Sequence, residues 1–422
     1  MKKLIFAMSF IFEGLLFAST LTIDDAVSYA LQNSYTVRTA AVDLESKGDT
    51  ANHILNSLFP SLQASGTISR ATQSESWNAM GNLSLGLNYN GSLITDIRKA
   101  REDYQAGQIS FDQTKRKVER DIKKLFYAML LSQKNLENNL LSLENTRERA
   151  VLAEKSFNNG YITRQDFLQT QVSYQNMKRD IEKEELAFGQ QMDQFVMLLG
   201  MPAGSKVILE GDLNSKIIDF DEYELLQKYG PTNSEYVLSG IKLDSINQQI
   251  TGLQLKSFTP TFSLNYSMKP TINDFNSNWF NASNWTDTGN LNFTVAWDLS
   301  ALFPWSNNRI QYRSLQREKA KLEIAREEIT SQLWTEIKKT MDNISSAKAA
   351  IAASESLINQ AQQAYNLTEE SYRNGRSDFL TVKDSEAQLN KTKLAYQSDL
   401  YTYISSMIDL EYLLALPENW AE

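Results

Sequence analysis

From Leu62 to Ser69 the chain alternates strictly, with Leu62, Ala64, Gly66 and Ile68 set against Gln63, Ser65, Thr67 and Ser69. That period of two predicts a strand with two unlike faces. "NLSLGLNYN" repeats the pattern with Leu83, Leu85, Leu87 and Tyr89 on one side, so the pair reads as a β-hairpin. Pro60 stands just before the first strand and closes about thirty residues of helix-forming sequence. The arrangement recurs: after Pro260, Phe262, Leu264, Tyr266 and Met268 alternate with polar residues, and a partner strand is expected from Leu291 to Leu299.

Between the hairpins the period changes to that of a helix. From about Thr95 to Phe157 there is no proline, charged and amide residues are dense, and Ile109, Val118, Ile122, Phe126 and Met129 recur at helical spacing. A helix of about sixty residues is roughly 90 Å long. "NNGYI" (Asn158 to Ile162) predicts a tight reversal, and a second helix runs to Gly200 and Pro202. The opening "LTIDDAVSYALQNS" predicts a helix capped by Thr22, with Asp25 completing a capping box.

The second half copies this order: a helix broken at Gly230-Pro231, a longer helix to Phe258, two strands, a long helix from about Pro304, a turn at "RNGRS" and a last helix to "LLALP". A constant offset of 215 places Asn159-Gly160 on Asn374-Gly375 and Leu198-Leu199 on Leu413-Leu414. It also places a heptad stripe of Phe167, Tyr174, Ile181, Phe188 and Phe195 on Val382, Leu389, Tyr396, Tyr403 and Leu410. Spacing by seven marks a packed seam of the coiled-coil kind. The expected organisation is a signal segment at 1–19, a first repeat at 20–204 (hairpin about 59–92, helical hairpin about 95–200), a linker at 205–220, and a second repeat at 221–422 (hairpin about 259–302, helical hairpin about 304–416).

Composition narrows the chemistry. A net charge of −9 disfavours nucleic acid as the partner, and without cysteine and with His53 alone, thiol catalysis, Cys/His zinc sites and most histidine acid–base chemistry are excluded. No phosphate-cradling loop or nucleophile–base arrangement is visible, so no catalytic activity, cofactor or metal is expected. Lys2-Lys3, the apolar run from Leu4 to Phe17 and Ala18-Ser19 form a signal-peptide pattern predicting export.

Strands of eight to ten residues, tilted, are long enough to cross a bilayer, but only a closed barrel leaves no unpaired edge there. Four strands per chain cannot close; two chains would supply eight and three chains twelve. Trp77, Trp279, Phe280 and Trp285 in the loops, and Phe59, Phe258, Phe303 and Trp305 where strands meet helices, stand where interfacial girdles would. The competing reading is a soluble sheet whose apolar face covers a core.

The two units, with "FNNGYITRQDFLQTQ…MLLG" and "YRNGRSDFLTVKDSEAQL…LLAL", resemble the TolC-type outer membrane efflux and secretion channels over about residues 20 to 420. The resemblance implies an α+β fold of two tandem repeats, trimerising into a twelve-stranded outer-membrane β-barrel continued by a twelve-helix periplasmic tunnel. It implies a passive conduit for small molecules or proteins, working with a periplasmic adaptor and an inner-membrane pump in efflux or type I secretion. Pro60, Pro260 and Pro304 would then mark the helix–strand junctions, proline being tolerated at a strand's start because it donates no ladder hydrogen bond. In such channels acidic side chains just after each turn ring the periplasmic aperture. The matching positions are Asp166 and Gln169 in the first unit and Thr381 and Asp384 in the second, with Asp378 on the same ridge as a substitute for the acid that Thr381 replaces. Repeated three-fold, one aspartate becomes a cation-favouring ring. The alternative role for Asp166 and Asp378 is to sit in the first helical turn and stabilise its N-terminus. The resemblance also marks Gly160, Gly375 and Arg376 as adaptor-contact tips. The alternative function is a periplasmic coiled-coil scaffold or adaptor without a pore.

Overall fold

A computed structural model describes residues 19–70, 77–213, 216–220, 222–229, 232–272, 278–374 and 376–417. The expected signal segment up to Ala18, the Gly230-Pro231 break and Gly375 lie outside these residues. The fold is helix-rich α+β, and the chain divides into two compact units: Met1–Thr39, Gln113–Asn233 and Leu333–Glu422 form one, Ala40–Asp112 and Ser234–Gln332 the other.

The first unit is helical. It holds β1 (Ser19–Leu21), α1 (Ile23–Asn33), the start of α2 (Tyr35–His53), the later parts of α3 (Leu93–Asn158) and α7 (Asn307–Arg373), and all of α4 (Arg164–Leu199), β4 (Val207–Leu209), α5 (Glu222–Tyr229) and α8 (Phe379–Leu414). Thr22 caps α1 through the expected box, its hydroxyl 2.7 Å from the Asp25 carboxylate. Ser34 caps α2 by accepting the Val37 amide at 3.3 Å. The repeat is visible in the helix bounds. α4 and α8 both have 36 residues and are displaced by 215 at each end, while α3 has 66 residues and α7 has 67.

Of the expected seam residues, Ile181, Phe195, Val382, Leu389, Tyr403 and Leu410 are buried, while Phe167, Tyr174, Phe188 and Tyr396 are half-buried. The main apolar core forms around Phe126, Met129, Phe195, Leu199, Ile337, Ile344, Tyr403 and Leu414. Both helical hairpins end in a left-handed residue, Gly200 at φ 81° and Ala415 at φ 50°. In each, two backbone N–H groups turn back onto the last helical turn: Gly200 to Met197 and Met201 to Val196, Ala415 to Tyr412 and Leu416 to Glu411. A Cβ on Gly200 would lie 2.3 Å from the Asn33 carbonyl oxygen, so this turn requires glycine.

The stretch expected as a linker is a packed part of this unit. β4 pairs in parallel with β1, Ser19 opposite Val207 and Leu21 opposite Leu209. Further on, Lys348 donates to the Ile218 carbonyl and lies 2.9 Å from Asp219, while the Ile218 amide donates to the Tyr403 hydroxyl at 3.0 Å. Ser19, the last residue of the expected signal segment, thus already belongs to β1.

The second unit is built on an antiparallel sheet. β2 (Ser61–Arg70) pairs with β3 (Trp77–Tyr89), which pairs with β5 (Thr261–Met268) and β6 (Pro270–Ile272); β5 pairs with β8 (Asn290–Ala296), and β6 with β7 (Thr286–Asp287). β5 with β6 and β7 with β8 act as two long strands interrupted where Asp287 accepts the amides of Lys269 at 2.7 Å and Gly289 at 2.8 Å. The sheet therefore has four positions across, with β2 and β8 at the edges. β8 ends at Ala296 rather than Leu299, because Leu299–Leu302 turns into a 3-10 helix. Pro60 and Pro260 immediately precede β2 and β5, and Pro304 lies in the turn before α7. The rest of α2, the first turns of α3 and α7, and α6 (Ser234–Phe258) complete the unit.

Candidate functional site

Register sorts the sheet into two chemically opposite faces. Leu62, Leu85, Tyr266 and Leu291 form one row straight across four strands; Leu87, Leu264 and Phe293, then Tyr89, Phe262 and Val295, form the next two on the same face. The alternating rows are Gln63, Ser84, Ser267 and Asn290; Ser61, Gly86, Asn265 and Asn292; and Asn88, Ser263 and Thr294. The apolar face is not turned onto a core. Leu291 is 66% exposed and Phe293 68%, and Leu62, Phe262, Leu264 and Tyr266 are exposed as well. Ala79 and Ile272, paired near the loop end, are buried. Monomeric soluble proteins rarely leave so large a contiguous apolar patch in water. An apolar face, an uncharged polar face and two edges without a strand partner among the described residues are what a sheet needs to become part of a lipid-embedded barrel wall.

Exposed aromatics cluster at both ends of the sheet, and Trp77, expected in the loop, is the first residue of β3. Phe59, Phe258, Phe303 and Trp305 are exposed at the helix–strand junctions. In the loop beyond the sheet, Trp279 and Trp285 meet edge to face at 5.9 Å, and the Trp285 indole N–H donates to the Trp279 carbonyl at 2.9 Å.

The turn regions belong to the helical unit. Gly160 has φ 76° with open space around it, next to exposed Tyr161. Phe157 and Phe167 stack at 5.2 Å across this turn. The Tyr161 amide donates to Ser156 at 2.8 Å, and Arg376, 215 residues on, donates to Ser371 at 2.8 Å, so both turns close alike.

Just after each turn the sites expected to ring an aperture show an exchange. In the first repeat Thr163 is the cap and Asp166 the third residue of the helix: the Asp166 amide donates to the Thr163 hydroxyl at 3.1 Å, which donates to the Asp166 carboxylate at 2.7 Å. In the second, Asp378 is the cap and Thr381 the third residue: the Thr381 amide and hydroxyl donate to one Asp378 oxygen at 2.8 and 2.5 Å. The same threonine–aspartate pair is used with its order reversed, which accounts for Thr381 standing where the first repeat has an acid. Hydrogen bonds from the Thr381 hydroxyl and then its amide hold the Asp378 carboxyl below the ordinary aspartate value. Asp378 is therefore occupied as the cap of α8 and Asp166 as the acid that completes the Thr163 capping box. Gln169 and Asp384, one turn further, are exposed.

Sequence reading passed over a buried polar cluster in the same unit. Arg149 of α3 meets Glu386 of α8 at 2.5 Å, their side chains 10% and 12% exposed, and donates to the Tyr365 hydroxyl of α7 at 3.2 Å. Burial opposes the Arg149 charge, but the hydrogen bond and charge of Glu386 outweigh it and hold the guanidinium above its ordinary value. Burial, then the Glu386 charge, raises the Tyr365 phenol. Ser142 and Asn390 extend the α3–α8 contact at 2.9 Å. The signal was present: Glu386 sits between Val382 and Leu389 at inward-facing helical spacing.

Among the described residues no helix is long and apolar enough to cross a membrane, and no cluster of three or more His, Cys, Asp or Glu side chains could hold a metal. Helices of this length joined to a two-faced sheet define the class of outer membrane channels with a periplasmic helical extension. A family model described as outer membrane efflux protein matches residues 26–200 and 241–416, and the chain belongs to that family, whose members are channels rather than enzymes. Among solved structures, the fold is similar to CusC (17% identity, TM-score 0.75, covering 96% of this chain and 95% of that one). It is similar also to the outer membrane protein VceC of Vibrio cholerae (18%, TM-score 0.74, 93% and 95%) and to the CmeC outer membrane channel of Campylobacter jejuni (15%, TM-score 0.77, 93% and 85%). No curated protein matches the sequence.

Proposed function

We propose that three copies of this chain pair the free edge of β2 on one with the free edge of β8 on the next. Those edges run antiparallel, so three sets of four strands close a twelve-stranded barrel with its polar rows inward and its apolar rows toward lipid. The observation that carries this reading is the exposed apolar face set by the register, for which a scaffold without a pore has no use. The helical hairpins then continue the conduit through the periplasm, and the channel is passive. An adaptor and an inner-membrane pump supply partner and energy, Gly160, Gly375 and Arg376 being the contact tips. Asp384, exposed and free of capping duty, is the gate acid, with Gln169 beside it in the first unit; Asp166 and Asp378 support it chiefly by holding the turns.

Mass by light scattering in mild detergent, with the detergent contribution removed, is expected to give a trimer that conducts in planar bilayers. Asp384→Asn is expected to reduce its cation preference. A water-soluble monomer or dimer without conductance would refute the channel, and unchanged selectivity in the variant would refute the gate assignment alone.

A further inference from the structure

The first three turns of α7 carry Arg309, Arg313 and Arg317, and no acid stands between Asn307 and Arg317, in a chain whose net charge is −9. All three are exposed, and none forms an ion pair among the described residues. Cations are disfavoured at a helix N-terminus, where the peptide dipoles concentrate positive charge. The matching helix of the first repeat carries its cations among acids: at the offset of 215, Arg98 stands where α7 has Arg313, but Ile94 and Glu102 replace Arg309 and Arg317, and Asp96 and Asp103 stand in the same three turns of α3. A run of arginines without an intervening acid is specific to the second repeat, and local helix stability does not explain it.

Its surroundings combine exposed aromatics with polar groups, among them Asn308, which donates to the Asp298 carboxylate at 3.1 Å. Phe303 and Trp305 stack at 5.3 Å immediately before the helix, and Trp305 is 76% exposed. Between the end of α6 and the start of α7 runs a groove of about 110 Å³, walled by Leu253 and Phe258 on one side and by Asn308, Arg309 and Tyr312 on the other. Successive arginines lie about 6 Å apart along the helix axis, comparable with the depth of one headgroup layer.

From this juxtaposition we infer that the α6–α7 junction is a docking surface for anionic phospholipid headgroups of the leaflet that faces the helices. Arg309 and Arg313 bind phosphate through their planar donor forks, Arg317 reaches up to the same layer, and the acyl chain lies against Phe258 and the Phe303–Trp305 stack. The inference rests on the channel reading, which fixes this junction at the membrane surface.

The test uses the full-length channel in neutral detergent with equimolar phosphatidylglycerol and phosphatidylcholine, the retained lipids being counted by mass spectrometry of the intact assembly. Wild type is expected to retain phosphatidylglycerol preferentially. R309Q/R313Q is expected to lower that preference about thirty-fold, given an attraction of about 1 kcal/mol for each basic residue at an anionic surface. R309K/R313K is expected to keep most of it, and the charge-matched control R38Q/R179Q all of it. Equal retention of both lipids by wild type, or full preference in R309Q/R313Q, would overturn the proposal. So would loss of the trimer in R309Q/R313Q while wild type retains both lipids alike, which would assign the ridge to the subunit contact. Failure of the wild type to conduct would instead remove the channel reading beneath it.

Discussion

Glu386→Gln leaves Arg149 charged, buried and without its anion. The two side chains are 10% and 12% exposed and meet at 2.5 Å, so the pair is largely removed from water. At an effective dielectric of 20, unit charges about 4 Å apart attract by about 4 kcal/mol, and breaking a fully buried pair costs about 3–5 kcal/mol because the remaining charge is stranded. Tyr365 still accepts one Arg149 hydrogen bond, and some water reaches the site, which lowers the expected loss to about 2–3 kcal/mol. The assay is hydrogen exchange on the detergent-solubilised protein, read on α8 peptides from Val382 to Leu389. A loss of about 2–3 kcal/mol corresponds to exchange roughly 30- to 150-fold faster where exchange follows local opening. Replacing both partners, as Arg149→Met with Glu386→Leu, removes the stranded charge and is expected to restore most of the protection. Single-variant exchange within about two-fold of wild type, or a double variant as unprotected as the sum of the singles, would refute this account of the contact.

The sheet offers a paired test. Phe293→Arg on the apolar face is expected to weaken barrel folding by about 2–4 kcal/mol, while Asn292→Arg on the opposite face folds and shifts ion selectivity; folding titrations into vesicles and single-channel recordings read the two effects. Ala415→Gly relieves a left-handed backbone where the equivalent Gly200 has none to relieve, and should stabilise by up to about 1 kcal/mol, seen as a later denaturation midpoint for the helical unit. Because hydrogen bonds from Thr381 hold the Asp378 carboxyl below its unfolded value, its contribution to the α8 N-terminus is fully present above the unfolded value and is lost as pH falls through the folded one. Exchange at Thr381, corrected for its intrinsic pH dependence, should rise on acidification in wild type and not in Asp378→Ala.

What was legible in the sequence was legible because it is local. Capping boxes need three residues, a strand's two faces need alternation over eight, and a seam needs a repeat of seven; Thr22 with Asp25, Leu62 to Ile68 and Phe167 to Phe195 each met that condition and formed as read. The offset of 215 predicted that α4 and α8 would share bounds, and they do to the residue. The segment from Ser205 to Phe220 carries the local pattern of a linker, because its short strand depends on a distant partner, β1, for its hydrogen bonds.

Tertiary structure alone decided what connects distant stretches. Alternation shows that each strand has an apolar side, but only the β3–β5 register, joining hairpins far apart in the chain, puts Leu85 beside Tyr266 and merges those sides into one continuous face. Only folding could leave that face exposed and bring Arg149 against Glu386, 237 residues away. Side-chain period follows from backbone geometry within a few residues, whereas register and charge pairing are chosen among many long-range closures by the packing they allow.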